Sequence, residues 1–176
     1  MGNDADYNSP VTNPYAKYQR RARELGAKGG KIISTTAVRT AEWVRLKCLF
    51  GCGGYGQALT CPPRSPTPEQ TRKLLREYRR ALLVRGDEYT DIQKVMASLE
   101  REAFLDGYWK ALALGSGPCE LCRTCREPCR HPEKARPAME ACGIDVFATV
   151  RAQGLPLKVL CSRKEKGNYY GLLLLE

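Results

Sequence analysis

The chain is poor in the side chains that most enzymes use. It has a single histidine, His131, with three phenylalanines, three methionines and two tryptophans among 176 residues. One histidine allows no conventional Ser/His/Asp set, and no glycine-rich nucleotide loop is present, so an ordinary hydrolase or kinase is not expected. No run of eighteen apolar residues occurs, so membrane insertion is not expected either. The opening MGNDADYNSPVTNPY has no apolar stretch of the kind a secretory leader needs, and Asp6 stands where a myristoylation signal wants Ser or Thr. A cytoplasmic location is the resulting expectation. Basic residues form no long Lys/Arg block, which disfavours nucleic acid as a partner, and no internal repeat occurs.

Cysteine, by contrast, is abundant, with nine residues. Without an export signal, clustered thiols point to metal rather than to disulfides. Cys119, Cys122, Cys125 and Cys129 follow the spacing C-x2-C-x2-C-x3-C. That is the spacing of two-cluster bacterial ferredoxins, except that the proline, Pro128, precedes the last cysteine instead of following it. Cysteines at every third residue can wrap three corners of a 4Fe–4S cube, and the fourth of such a run usually serves a different cluster.

A second set of thiols answers that need. Cys48, Cys52 and Cys61 supply three, and Cys129 makes four. Gly51, Gly53, Gly54 and Gly56 let the backbone aim N–H groups at sulfide, while Pro62 and Pro63 stiffen the exit. The first cluster then needs a ligand beyond Cys119, Cys122 and Cys125. Cys142 is favoured over Cys161, which alternates with Leu157 and Val159 and reads as a core thiol; with neither, one iron stays open. The cofactor expectation is two 4Fe–4S clusters. Zinc is the alternative, held for example by the pairs Cys48/Cys52 and Cys119/Cys122, although four cysteines in one short run crowd a single tetrahedron. His131, before Pro132, reads as a cap or a solvent-facing residue. Trp43, Tyr55, Tyr78 and Trp109 read as core aromatics.

Residues 1–30 read as an N-terminal arm, partly disordered or loosely docked, with a short basic helix from Tyr18 to Leu25. Residues 31–176 form the cysteine-rich domain. Strand character begins at Lys31, and residues 38–47 fit a helix or an extended approach to Cys48. Thr67-Pro-Glu-Gln70 and Thr90-Asp-Ile-Gln93 carry capping-box patterns. The first opens a helix; after a buried strand at Ala81-Leu-Leu-Val84, the second opens a helix that runs to about Leu114 and leads into Cys119. Pro137 opens a short helix and Asp145 caps another. Strands follow at Leu157 to Cys161 and Tyr169 to Leu175. The sum is a small α+β domain with a partly antiparallel sheet of few strands and packed helices.

The ordered set Val44-Arg-Leu-Lys-Cys48, Cys52, Tyr55-Gly56, Cys61-Pro-Pro63, Gly117-Pro-Cys-Glu-Leu-Cys-Arg-Thr-Cys125 and Met139-Glu-Ala-Cys-Gly-Ile-Asp145 resembles an uncharacterised prokaryotic family of cysteine-rich, predicted metal-binding proteins, common in anaerobes. The resemblance runs from about Ile32 to the C-terminus. It implies a metal protein of iron–sulfur type and supplies no reaction.

With 29 Lys plus Arg against 19 Asp plus Glu, the chain carries a formal +10. Two clusters at about −2 each would leave roughly +6. The expected role is electron transfer or redox support of an acidic protein partner. A structural zinc module that presents a basic surface, and an enzyme built on an open iron, are the alternatives.

Overall fold

In the computed structural model, residues 13–162 and 164–176 are described. Four strands, β1 (Gly29–Ser34), β2 (Arg80–Gly86), β3 (Leu112–Leu114) and β4 (Tyr169–Leu174), form one antiparallel sheet in the order β1-β2-β4-β3. The register pairs Ile32 with Leu82, Leu82 with Leu173, and Ala113 with Leu173. The central strands β2 and β4 are apolar almost throughout because both of their faces are covered. Ala81, Leu83, Tyr170, Leu172 and Leu174 face one layer, and Leu82, Val84 and Leu173 face the other.

The second layer is built by α1 (Ala16–Glu24) and α4 (Ile92–Leu105). Ile92, Val95, Met96, Leu99 and Ala103 recur at helical spacing and all are buried. A Cβ on Gly171 would stand 2.5 Å from Met96 Cγ, so glycine there lets α4 approach β4 closely. Tyr18 and Ala22 of α1 join the same core, and the Tyr18 hydroxyl donates to Asp106 at 2.8 Å. Residues 15–27 therefore pack on the sheet, while residues 1–12 of the expected arm lie outside the described residues.

The first layer carries α3 (Pro68–Leu75), α5 (Val146–Ala152) and the segment from Met139 to Ile144. Thr67 and Gln70 close the expected capping box on α3. Asp145 caps α5 by accepting from Ala148 N at 2.8 Å. On α4 the cap is Asp91, which accepts from Lys94 N; Thr90 instead donates to Asp87.

Several expectations need correction. The helix of residues 92–105 ends nine residues before Leu114, because Gly107 takes a left-handed φ of +98° and β3 follows. Cys119 is thus reached from a strand. The strand expected at Leu157 to Cys161 does not form: this stretch has no ladder partner, and Cys161 is exposed, so it is not a core thiol. Its alternation arises where Leu155 and Leu157 rest on the core while Val159 and Cys161 turn to solvent. Trp43 and Trp109 are likewise exposed, and of the expected core aromatics Tyr78 is buried, donating its hydroxyl to Lys110 O. Among the described residues no helix is long and apolar enough to cross a membrane.

Candidate metal centre

The cysteines sit on two excursions from this sandwich. The first begins with α2 (Glu42–Gly51), which carries Cys48 and ends at Cys52. Residues 38–47 are thus resolved in favour of a helix from Glu42. Its only buried residue is Val44, so apolar packing does little to hold it. A polar hub does more. Arg45 Nη1 donates to Ser65 O, Ser65 Oγ, Pro66 O and Ala141 O at 2.9–3.1 Å. Ser65 Oγ also donates to Ala141 O, and Thr71 Oγ1 donates to Cys142 O. A one-residue bridge between Thr40 and Ile144 closes the base.

After Cys52 the chain folds through consecutive turns. Gly56 N donates to Pro62 O, with Gly56 at φ +73°, and Arg64 N and Ser65 N both donate to Cys61 O. These turns bury Cys61.

The second excursion spans residues 116–136 and holds Cys119, Cys122, Cys125 and Cys129 without helix or strand. Its ends are clasped. Gly115 bridges Ala138 in parallel, and Arg136 grips Glu100 of α4, with Nε donating to Oε2 at 2.6 Å. A long structureless loop inside a compact domain is uncommon unless it serves a function.

The two excursions meet. Leu59 N donates to Cys125 Sγ at 3.4 Å, and Cys61 stands in the electrostatic reach of Cys52, Cys119 and Cys125. Cys48, Cys52, Cys61 and Cys119 line one cavity of about 1560 Å3 that reaches past the end of β3 to the start of α4. Cys122, Cys125 and Cys129 are half-buried in the loop and do not line it. The Cys52 and Cys129 sulfurs accept from Gly54 N and His131 N, each at 3.4 Å. His131 itself is part-exposed, its Nδ1 3.9 Å from a Glu133 oxygen.

Cys142, the expected last ligand of the first cluster, is placed elsewhere. It is 1% exposed, belongs to the apolar core with Ile33, Met139 and Ile144, and does not line the cavity. Its helical turn ends at Gly143, φ +74°, where a Cβ would collide with the Pro68 ring.

Burial pushes the thiols of Cys48 and Cys61 up from their ordinary range, and neighbouring thiols add to this. Burial pushes Cys142 up to about 12. Buried thiols whose thiolates would repel one another hold their protons until a cation arrives, and a soft metal ion reverses that balance. The cavity wall agrees with a cationic guest. Although the protein is strongly basic, the wall has more carboxylates (Asp87, Glu88, Asp91, Glu100, Glu120, Glu133 and Glu140) than cations (Lys94, Arg101, Lys134 and Arg136).

Glu140 and Arg45 were not singled out from the sequence. Each lies within a cysteine-bearing motif; Glu140, charged between the apolar Met139 and Ala141, carried a signal of burial that was there to find, and Arg45 carried none. Among the described residues no three His, Cys, Asp or Glu side chains close on one point suited to a single ion. The donor set nonetheless fits a thiophilic metal, since thiolates select zinc and iron–sulfur clusters.

Fold and site together define a cysteine-rich α+β domain of the metal-binding class. Residues 31–175 match the family described as "Predicted metal-binding protein (DUF2284)", and the chain belongs to that family. No curated protein and no solved structure matches it.

Proposed function

We propose that the protein binds iron–sulfur clusters of the 4Fe–4S type and serves as an electron carrier or redox accessory protein. The observation that supports this reading best is the meeting of two cysteine segments: Cys48, Cys52 and Cys61 share a cavity with Cys119, and Leu59 N donates to Cys125 Sγ. Thiols that share a cavity without closing on one point suit a cluster with several iron corners better than a zinc tetrahedron, whose four donors must touch one ion. Backbone N–H groups already donate to the sulfurs of Cys52, Cys125 and Cys129, the kind of bond that favours the anionic, reduced state of a cluster.

On this reading Cys48, Cys52 and Cys61 serve one cluster and Cys119, Cys122 and Cys125 the other. An acidic redox partner docks beside the loop where Arg123, Arg126 and Arg130 are exposed.

Protein purified under argon tests the reading. Metal analysis should find about eight iron per chain, matched by acid-labile sulfide, and dithionite should bleach the visible band in two steps. A redox-silent protein that holds zinc alone would sink it.

A further inference from the structure

Glu140 is the least satisfied charged residue of the cysteine region. It lies on the turn Glu140–Cys142, against which α2 packs, and it lines the cavity together with Cys48, Cys52 and Cys61. Its Oε2 is sealed from solvent, and no hydrogen-bond donor among the described residues reaches it. Glu140 is also among the charges that act on Cys48. The nearby cation is aimed elsewhere: Arg45 forms no bond to Glu140, and its Nη1 group donates to four oxygens of Ser65, Pro66 and Ala141. Leaving a buried carboxyl oxygen without a partner costs roughly 1–3 kcal/mol, more if it is ionised. A position that wanted only packing would hold an apolar residue here.

A buried carboxylate that shares a cavity wall with three thiols, acts on one of them, and forms no ion pair among the described residues is short of a metal. We infer that Glu140 is the oxygen ligand that completes the Cys48, Cys52 and Cys61 site, the place that spacing alone gives to Cys129. Cys129 does not line this cavity, and its sulfur accepts from His131 N. The inference rests on the proposed metal-binding role and adds a mixed sulfur and oxygen donor set to it. An oxygen donor at one corner makes that corner more labile than a full set of thiolates, so this is the site that exchanges metal first.

The test uses the full chain, loaded under argon with iron and sulfide, and separately with Zn2+ alone. Metal per chain and the rate of its loss to EDTA are measured for the parent, Glu140→Gln, Glu140→Asp and Glu133→Gln. Glu133 also lines the cavity, but its side chain is 60% exposed. Glu140→Gln should lose metal about tenfold faster or more, with Glu140→Asp in between and Glu133→Gln like the parent. The metal-free Glu140→Gln protein should unfold at the same urea concentration as the parent or a higher one, because a neutral amide is cheaper to bury than an ionised carboxyl. That second readout separates lost ligation from lost folding. If Glu140→Gln and Glu140→Asp keep metal as the parent does, the inference is overturned while the metal-binding reading stands. Equal losses in Glu140→Gln and Glu133→Gln reduce the effect to a general field and overturn it too. A parent that takes up no metal brings down both.

Discussion

Leu172 and Cys61 are both buried, yet their surroundings have little in common. Leu172 sits in a central strand, paired on both sides, within an apolar layer built from five chain segments. Cys61 sits in a loop closed by turns, facing thiols and carboxylates across a cavity. The sandwich is held by area removed from water. The cysteine half is held by a guanidinium hub, a pair of one-residue bridges and whatever the thiols bind. On the proposed metal-binding role, the fold is complete in one half and conditional in the other, where bound metal would take the place of an apolar core.

The sharpest break of this comparison is Leu172→Ala. A fully buried leucine cut to alanine costs about 2–5 kcal/mol. Urea unfolding should show the same loss with metal present and after chelation, since the sheet does not depend on the site. A loss that appears only in the metal-free protein would mean that the two halves are one cooperative unit.

Chelation itself comes next. Removing a ligand that was present at a hundred times its Kd withdraws about 2.7 kcal/mol. That loss should be local. Amide exchange should quicken at residues 48–61 and 116–131 while β2 and β4 stay protected. Melting of β4 on chelation would refute the division outright.

Arg45→Met follows. It keeps most of the side chain's length and apolar stem but strips the donor from Ser65 O and Pro66 O, while Ala141 O still accepts from Ser65 Oγ. Orphaned acceptors of this kind cost roughly 1–3 kcal/mol. The expected signature is a looser α2, seen as faster exchange in residues 42–51 and faster metal loss, with α3 and α4 unchanged. Uniform destabilisation would show that the hub belongs to the sandwich.

The same division explains what could be seen in the sequence. Ala81-Leu-Leu-Val84, the periodic apolar set of α4 and the caps at Thr67 and Asp145 carry local signals of burial and geometry, and the structure forms each of those elements. The cysteine spacing singled out the thiols, and Cys48, Cys52, Cys61 and Cys119 do line one cavity, but spacing carries no direction. Nothing local distinguishes Cys142, whose thiol packs against Met139 and Ile144, from a cysteine that faces the cavity. The hub was hidden for a related reason. Arg45 lies on a mostly exposed helix, so no hydrophobic period marks it, and its four acceptors come from segments 20 and 96 residues away. Leu157 to Cys161 misled because alternation alone makes no strand; a ladder partner is also needed, and among the described residues β3 takes the place beside β4.

The smallest expected effect is that of Cys161→Ser, and it bears on where the cysteine half ends. Cys161 is exposed, and its backbone N–H donates to Glu165, which a serine leaves intact. Surface changes of this kind stay within about 0.5 kcal/mol. Metal content and the rate of loss to EDTA should equal those of the parent, because Cys161 does not line the cavity that Cys48, Cys52, Cys61 and Cys119 share. A drop of about four iron per chain would say the opposite. It would make Cys161 the ligand that Cys119, Cys122 and Cys125 still lack and would require residues 155–162 to swing over the site on loading. The conditional half of the molecule would then reach to the edge of β4, and the sandwich would be partly organised by metal as well.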